Sequence, residues 1–296
     1  MNWFIFALIA PIFWALSNIM DKFLITKIFD KFYFFLVWIG IFAMPICTVI
    51  FVLLKPTFVF PYSVIALSIG LLWGLYYLIY AKTLLNEEVS RTISLVFIHP
   101  IIVTILAGIF LKEIFSTSKY IGIVLLVTSG ILLSYRKKGR RINLIGSLKL
   151  ISILILMWSC LQVAEKITVE QIGYWSLYFW ATLGVFLAAT PFLLSKKTKI
   201  SFIKSIKKIG RKGLPFLVTG EIFATLGSIS FYVAISLGPV SLISAIGSLQ
   251  PFFVFIYIIF LSIFIPKFLK EEINKYNILM KSIAIALVLV GTWLLI

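Results

Sequence analysis

Val240-Ser241-Leu242-Ile243-Ser244-Ala245-Ile246-Gly247-Ser248-Leu249-Gln250-Pro251-Phe252 sets hydroxyl and small side chains along one helical stretch and follows them with a glutamine and a proline. The same spacing occurs earlier. Val89-Ser90 leads to His99-Pro100, each residue lying 151 positions before its counterpart in Val240-Ser241 and Gln250-Pro251. If this marks an internal repeat, further anchors must recur in the same order.

Composition sets the environment in which such a repeat would fold. Of 296 residues, 62% are hydrophobic and 12% charged, and mean hydropathy is +1.13. Soluble domains are about 45–50% apolar, so the chain reads as a polytopic membrane protein. A net charge of +17 would suit nucleic acid if it lined one folded face. Here the basic residues fall in short segments between apolar runs of about twenty residues, which is the pattern of membrane topology. No nucleic-acid partner is expected. The apolar stretch from Trp3 has no basic residue before it and no small-residue cleavage site after it, so it reads as a retained span. Cys47 and Cys160 both fall inside spans and give neither metal spacing nor a disulfide framework.

A helix needs about 20 apolar residues to cross about 30 Å of hydrocarbon. That criterion gives ten spans, at 3–25, 32–54, 61–85, 91–112, 118–135, 144–165, 173–194, 214–236, 240–264 and 277–296. The apolar runs are continuous and do not alternate, which favours helices over a barrel. The loops on one side hold 19 Lys and Arg residues, chiefly Lys27, Lys31, the Arg136–Arg141 cluster, the Lys196–Lys212 segment, Lys267 and Lys270. The other side holds four, Lys55, Lys112, Lys119 and Lys166. Lys22, Lys82, Lys149 and Lys281 lie in span ends, where they can snorkel. The basic side is expected to be cytoplasmic and both termini external. The Lys196–Lys212 segment, with Ile200, Phe202, Ile203, Ile206 and Ile209 among its lysines, reads either as an interfacial amphipathic helix on membrane lipid or as a solvated basic loop.

Three more anchors support the repeat. Trp14, Asn18, Asp21 and Lys22 recur as Trp158, Gln162, Glu165 and Lys166 at an offset of 144. Pro45 recurs as Pro191, and the glycine of Gly130-Ile131-Leu132-Leu133 as Gly291 before Leu294-Leu295. Five spans per copy is an odd number, so the second copy enters the membrane from the opposite side. The expected fold is an all-α integral membrane protein of ten transmembrane helices in two inverted five-helix repeats, a build used by secondary transporters. Residues 1–135 form the first repeat, 136–143 a basic connecting loop and 144–296 the second repeat.

On the Trp14–Lys22 stretch, Val89-Ser90 through Pro100, Leu111-Lys112-Glu113, Gly122 and Gly130, and Ala234 through Ser241 running to Pro251, the chain resembles the EamA family of the drug/metabolite transporter superfamily. The resemblance implies ten helices around a central cavity, alternating access, and movement of small solutes such as amino acids. Two departures stand out. The second half has no clear counterpart of Glu113, and many relatives are described with cytoplasmic termini.

An ionisable group inside a span usually faces a cavity or a partner. Glu221, within span eight, is a candidate proton carrier or counter-charge for a cationic substrate, or else a carboxyl hydrogen-bonded to a neighbouring helix. His99 is the single histidine; its unperturbed pKa of about 6.5 suits proton coupling, while a histidine beside a proline also serves as an interhelical hydrogen-bond partner. Trp14 with Asn18, and Trp158 with Gln162, each lie on one helix face and offer an aromatic wall with an amide. Tyr77, Tyr80, Tyr232 and Gln250 complete the candidate substrate cavity, and Pro100 and Pro251 are candidate kinks or hinges.

The leading function is secondary active transport of a small polar or amphipathic metabolite, an amino acid or related solute, across the inner or plasma membrane, coupled to protons or exchange. The partners are that solute and membrane lipid, and the chain is compatible with a monomer. No phosphate-binding loop, cofactor motif or metal motif is present. A flippase for a lipid-linked or phosphate-bearing substrate would call for a basic residue at midplane depth. A non-transporting scaffold or sensor leaves the repeat without a use, and an intramembrane enzyme would need clustered acids or a nucleophile–base pair. With the observed charge bias, a reporter fused to either terminus is expected outside the cell; two cytoplasmic termini in an accessibility assay would reverse the orientation.

Overall fold

A computed structural model of the chain describes residues 2–86, 95–134, 144–208, 210–264 and 275–296. Hydrocarbon offers no hydrogen bonds, so a long apolar run must satisfy its backbone internally, as a helix does. Among the described residues there are eleven α-helices and no strand. They are α1 (Trp3–Phe23, continued by a π-turn Leu24–Ile28), α2 (Tyr33–Leu54), α3 (Tyr62–Asn86), α4 (His99–Phe110), α5 (Thr117–Ser134) and α6 (Leu144–Leu194). The rest are α7 (Lys196–Lys207), α8 (Gly210–Leu237), α9 (Val240–Gly247), α10 (Gln250–Phe264) and α11 (Lys275–Leu295). Among the described residues, six stretches are long and apolar enough to cross a membrane: Trp3–Phe23, Tyr33–Leu54, Tyr62–Thr83, Lys149–Leu194, Gly213–Leu237 and Val240–Tyr257. Shorter apolar helices cover His99–Phe110, Thr117–Leu133 and Ser282–Leu295. The chain is a multi-pass integral membrane protein. Phe51, Leu53, Ile109, Leu289 and Trp293 remain exposed on its flanks, where hydrocarbon is the solvent.

The sixth and seventh spans are joined through Gly173, whose φ of 74° and ψ of 162° are open to a residue without Cβ. The chain reverses there. Trp158, before the bend, meets Trp73 of α3 at 6.1 Å between ring centroids, and Ala188, after it, lies against Gly74. Both segments therefore cross α3 at the same level. The second segment approaches α3 so closely that a Cβ on Gly70 would stand 1.9 Å from the Ala181 carbonyl oxygen. Small residues at a membrane helix contact allow this approach.

The proline stretches form breaks. A turn at Ser248-Leu249 separates α9 from α10, and a turn at Phe97-Ile98 precedes α4. Pro100 and Pro251 are expected near helix middles; instead each is the second residue of a new segment, where its missing N–H costs nothing. Backbone bonds of the tighter i to i−3 kind close both turns: Ile98 N to Leu95 O at 3.1 Å, Ser248 N to Ala245 O at 3.0 Å and Leu249 N to Ile246 O at 2.9 Å. Val89, Ser90, Arg91, the Arg136–Arg141 cluster, the 136–143 loop, Ile209, Pro266, Lys267, Lys270, Glu271 and Glu272 lie outside the described residues.

Two carboxylates tie distant parts of the chain together at the helix ends. Glu113, just after α4, accepts the backbone N–H groups of Val240 at 2.8 Å and Ser241 at 3.0 Å, and also the Ser241 hydroxyl. It thus caps α9 with a negative charge at the positive end of the helix. Asp30 accepts from Lys208 Nζ at 2.8 and 3.0 Å and from Ser205 Oγ at 3.1 Å. The Lys208 hydrogen bond holds this exposed carboxyl below the ordinary carboxylate range. Ser205 belongs to α7, the lysine-rich segment, which is a helix with Phe202 buried in a cluster with Leu24, Phe29 and Phe34. Its Ile200 and Ile203 stay exposed.

Replacing Glu113 by alanine is expected to cost about 0.5–2 kcal/mol, the range for losing a helix cap, with glutamine costing less. Thermal unfolding of the purified protein checks this through thiol labelling of buried Cys47 in a Cys160→Ser background. Equal midpoints for wild type and Glu113→Ala would remove the cap from the stability of the fold.

Candidate functional site

Helical spacing brings the polar residues of several spans to one interior space. On α1, Trp14, Ser17, Asn18 and Asp21 are three, four and seven residues apart and share a face. The same spacing places Trp73, Tyr76, Tyr77 and Tyr80 on one face of α3, and Glu221, Ala224, Thr225 and Ser228 on one face of α8. In α6, Trp158, Gln162 and Glu165 come before the Gly173 reversal and Tyr178, Ala181, Thr182 and Val185 after it. All of these, with Phe35, Ile39, Phe42, Ala43 and Ile46 of α2 and with Val96, Phe97 and Gln250 at the two breaks, line one cavity of about 240 Å³. That is just below the usual range of small-molecule sites, about 300–1,000 Å³.

Of the ten residues expected at a substrate cavity, Trp14, Asn18, Tyr77, Tyr80, Trp158, Gln162, Glu221, Tyr232 and Gln250 line this space. His99 does not. It is 2% exposed, stacked on Trp158 with ring centroids 4.2 Å apart and planes 11° apart. Its Nδ1–H donates to the Val96 carbonyl at 3.1 Å, and Ser159 Oγ donates to the carbonyl of His99 at 3.2 Å. The imidazole therefore satisfies a carbonyl beside the helix break and backs the cavity wall. It takes the interhelical and capping alternative over the coupling one.

Among the described residues, three carboxyls line the cavity, and no lysine, arginine or histidine does. Asp21 accepts from Ser17 at 3.3 Å and shares the cavity lining with Glu221. Glu165, 1% exposed, accepts Trp73 Nε1–H at 2.7 Å and the Tyr232 hydroxyl at 2.9 Å, both on Oε1. Its Oε2 is buried without a partner. A bare buried acceptor costs about 1–3 kcal/mol. Lys166, next in sequence, is engaged elsewhere, donating to the Ile235 carbonyl at 2.8 Å and pairing with Glu170 at 2.8 Å. Gln162 accepts from Ser244 of α9 at 2.7 Å, and Trp14 donates to Ser228 at 3.4 Å. Around Glu165, the Trp73 ring stacks on Tyr77 at 5.9 Å and meets Tyr76 edge-on at 5.0 Å; Trp158 meets Tyr76 at 5.7 Å.

Asp21 and Glu165 line the cavity as well, beyond the residues that the sequence singles out for it. In the sequence both appear only as anchors of the repeat. The missed signal is the seven-residue step from Trp14 and Trp158, which returns each acid to the face of its tryptophan.

Residues 1–135 match the family model described as EamA-like transporter family. No curated protein matches the chain. One solved structure, described only as "Crystal structure of protein", is similar to this one with a TM-score of 0.71 at 13% identity, covering 98% of this chain and 95% of its own. That likeness concerns the fold alone, and the family match covers residues 1–135 of the 296.

His99 variants test its role in the wall. His99→Phe keeps an aromatic ring on Trp158 but strips the Val96 carbonyl, an expected loss of about 1–3 kcal/mol. His99→Ala also loses the stack, roughly a further 0.5–1.5 kcal/mol. Thermal unfolding reads both; a phenylalanine variant as stable as wild type would dismiss the capping role.

Proposed function

We propose that this membrane protein, whose first 135 residues form an EamA-like domain, is a secondary active transporter of a small polar or amphipathic metabolite. The observation that carries this reading is the interior cavity at the two helix breaks, which is walled by aromatic rings and holds three carboxyls. A few polar groups in an otherwise apolar pocket orient a small ligand, and intramembrane carboxyls are the usual carriers of coupling protons. Transport proceeds by alternating access, with two inverted five-helix halves rocking about the cavity. Protons or a counter-substrate drive it across the inner or plasma membrane. The matching breaks before His99-Pro100 and Gln250-Pro251 support the inverted arrangement.

Glu221 and Asp21 are the proposed proton carriers. Both line one cavity; two acids in one such space favour holding one proton between them, and a cationic ligand or a proton meets the same demand. A flippase for a phosphate-bearing substrate is disfavoured, because an anionic group would meet three carboxyls and no cation among the lining residues. The flux experiment compares uptake and release of a labelled metabolite panel in vesicles with and without a pH gradient. At least one solute is expected to move faster with the gradient, and Glu221→Gln to lose that stimulation by tenfold or more. No solute moving under any gradient sinks the transporter reading; normal gradient-driven flux in Glu221→Gln removes Glu221 from coupling.

A further inference from the structure

The partnerless oxygen of Glu165 gives the cavity a chemical preference. Oε1 is satisfied twice, by Trp73 and Tyr232, whereas Oε2 is buried with no donor. The one lysine adjacent in sequence is committed to Ile235 and Glu170. A ligand that reaches Oε2 completes it by bringing a hydrogen-bond donor. Trp73, Tyr76, Tyr77 and Trp158 contact one another at the same wall, and the faces of such rings attract cations. A metal ion is a poor occupant, since no group of three or more His, Cys, Asp or Glu suited to a metal occurs among the described residues.

We propose that Glu165 Oε2 accepts an N–H of a protonated primary or secondary amine, and that the site selects organic amines over amino acids. Three features of the cavity set this preference. A quaternary ammonium brings charge but no N–H, so it leaves Oε2 bare. A neutral alcohol brings a donor but no charge for the carboxyls and ring faces. An amino acid brings the ammonium but also a carboxylate, which enters a cavity with three carboxyls and, among the described residues, no cationic lining residue. Glu165 is then the residue that sets specificity, while Asp21 and Glu221 stay with coupling. The inference rests on the transporter reading only for the movement of the amine; its binding stands apart.

The test uses the full chain in detergent and reads ligand binding by intrinsic tryptophan fluorescence, since Trp73 and Trp158 line the site. The probes are matched sets on aliphatic and aromatic bodies: an amine, its trimethylammonium analogue, its alcohol and its α-carboxylated amino acid, with 2-phenylethylamine heading the aromatic set. At least one amine is expected to bind tenfold or more tighter than the other three members of its set. Glu165→Gln should weaken it by tenfold or more. A second measurement on the wild type guards against a variant that fails to fold: carbodiimide labelling of Glu165, read by mass spectrometry, should be slowed by the amine and not by its alcohol. If no amine outcompetes its own alcohol, quaternary and carboxylated partners, the inference is overturned. The two readings fail separately. Amine binding without flux in vesicles would sink transport and keep the site, and flux of solutes lacking an amine, with no amine bound, would do the reverse.

Discussion

Every backbone donor and acceptor in hydrocarbon needs a partner from the protein itself, and the interior of this molecule is arranged around the places where helices stop. Helix ends leave up to four donors or four acceptors unpaired. At the break before α4, the His99 ring takes the Val96 carbonyl and Ser159 takes the carbonyl of His99. At the start of α9, Glu113 takes two backbone donors that a soluble helix would give to water. Residues Val240 through Ile246 are all buried, so those donors have no other recourse. The breaks, once partnered, place Val96, Phe97 and Gln250 in the cavity wall.

The same absence of water makes the cavity carboxyls expensive and informative. Inserting an acid in a span costs about 2.5–3.5 kcal/mol on insertion scales, and Asp21, Glu165 and Glu221 share one space. Part of that cost is offset by hydrogen bonds from Ser17, Trp73 and Tyr232. The second oxygen of Glu165 has no such partner among the described residues.

The spans were legible in the sequence because a membrane reduces the choice to apolar length. The tryptophan–amide pairs of α1 and α6 were legible as cavity lining because their spacing repeats. Asp21 and Glu165 were missed because each sits beside a lysine near a span end, where an acid reads as a snorkelling neighbour. Only the helical step from the tryptophan exposes its true face. His99 was misplaced for a related reason: a histidine next to a proline announces a break, and at a break the nearest unpaired carbonyl captures the ring before any solute can. Glu113 was visible as a family anchor, but its partners lie more than a hundred residues away, and no local pattern encodes that pairing. The reversal at Gly173 was expected as a loop; one left-handed residue turns the chain and saves the rest of it.

The two carboxylate ties are unequal in a way that bears on how the molecule responds to its surroundings. Asp30 holds Lys208 at a contact more than half exposed on the acid side and half exposed on the lysine side, within reach of mobile ions. Glu113 holds peptide dipoles and a hydroxyl at a buried helix start, where the partners are fixed and bear no net charge. Screening by salt acts on the first and scarcely on the second. Ionic strength is thus a one-sided lever: raising it loosens the basic face of the protein and leaves the opposite face clasped.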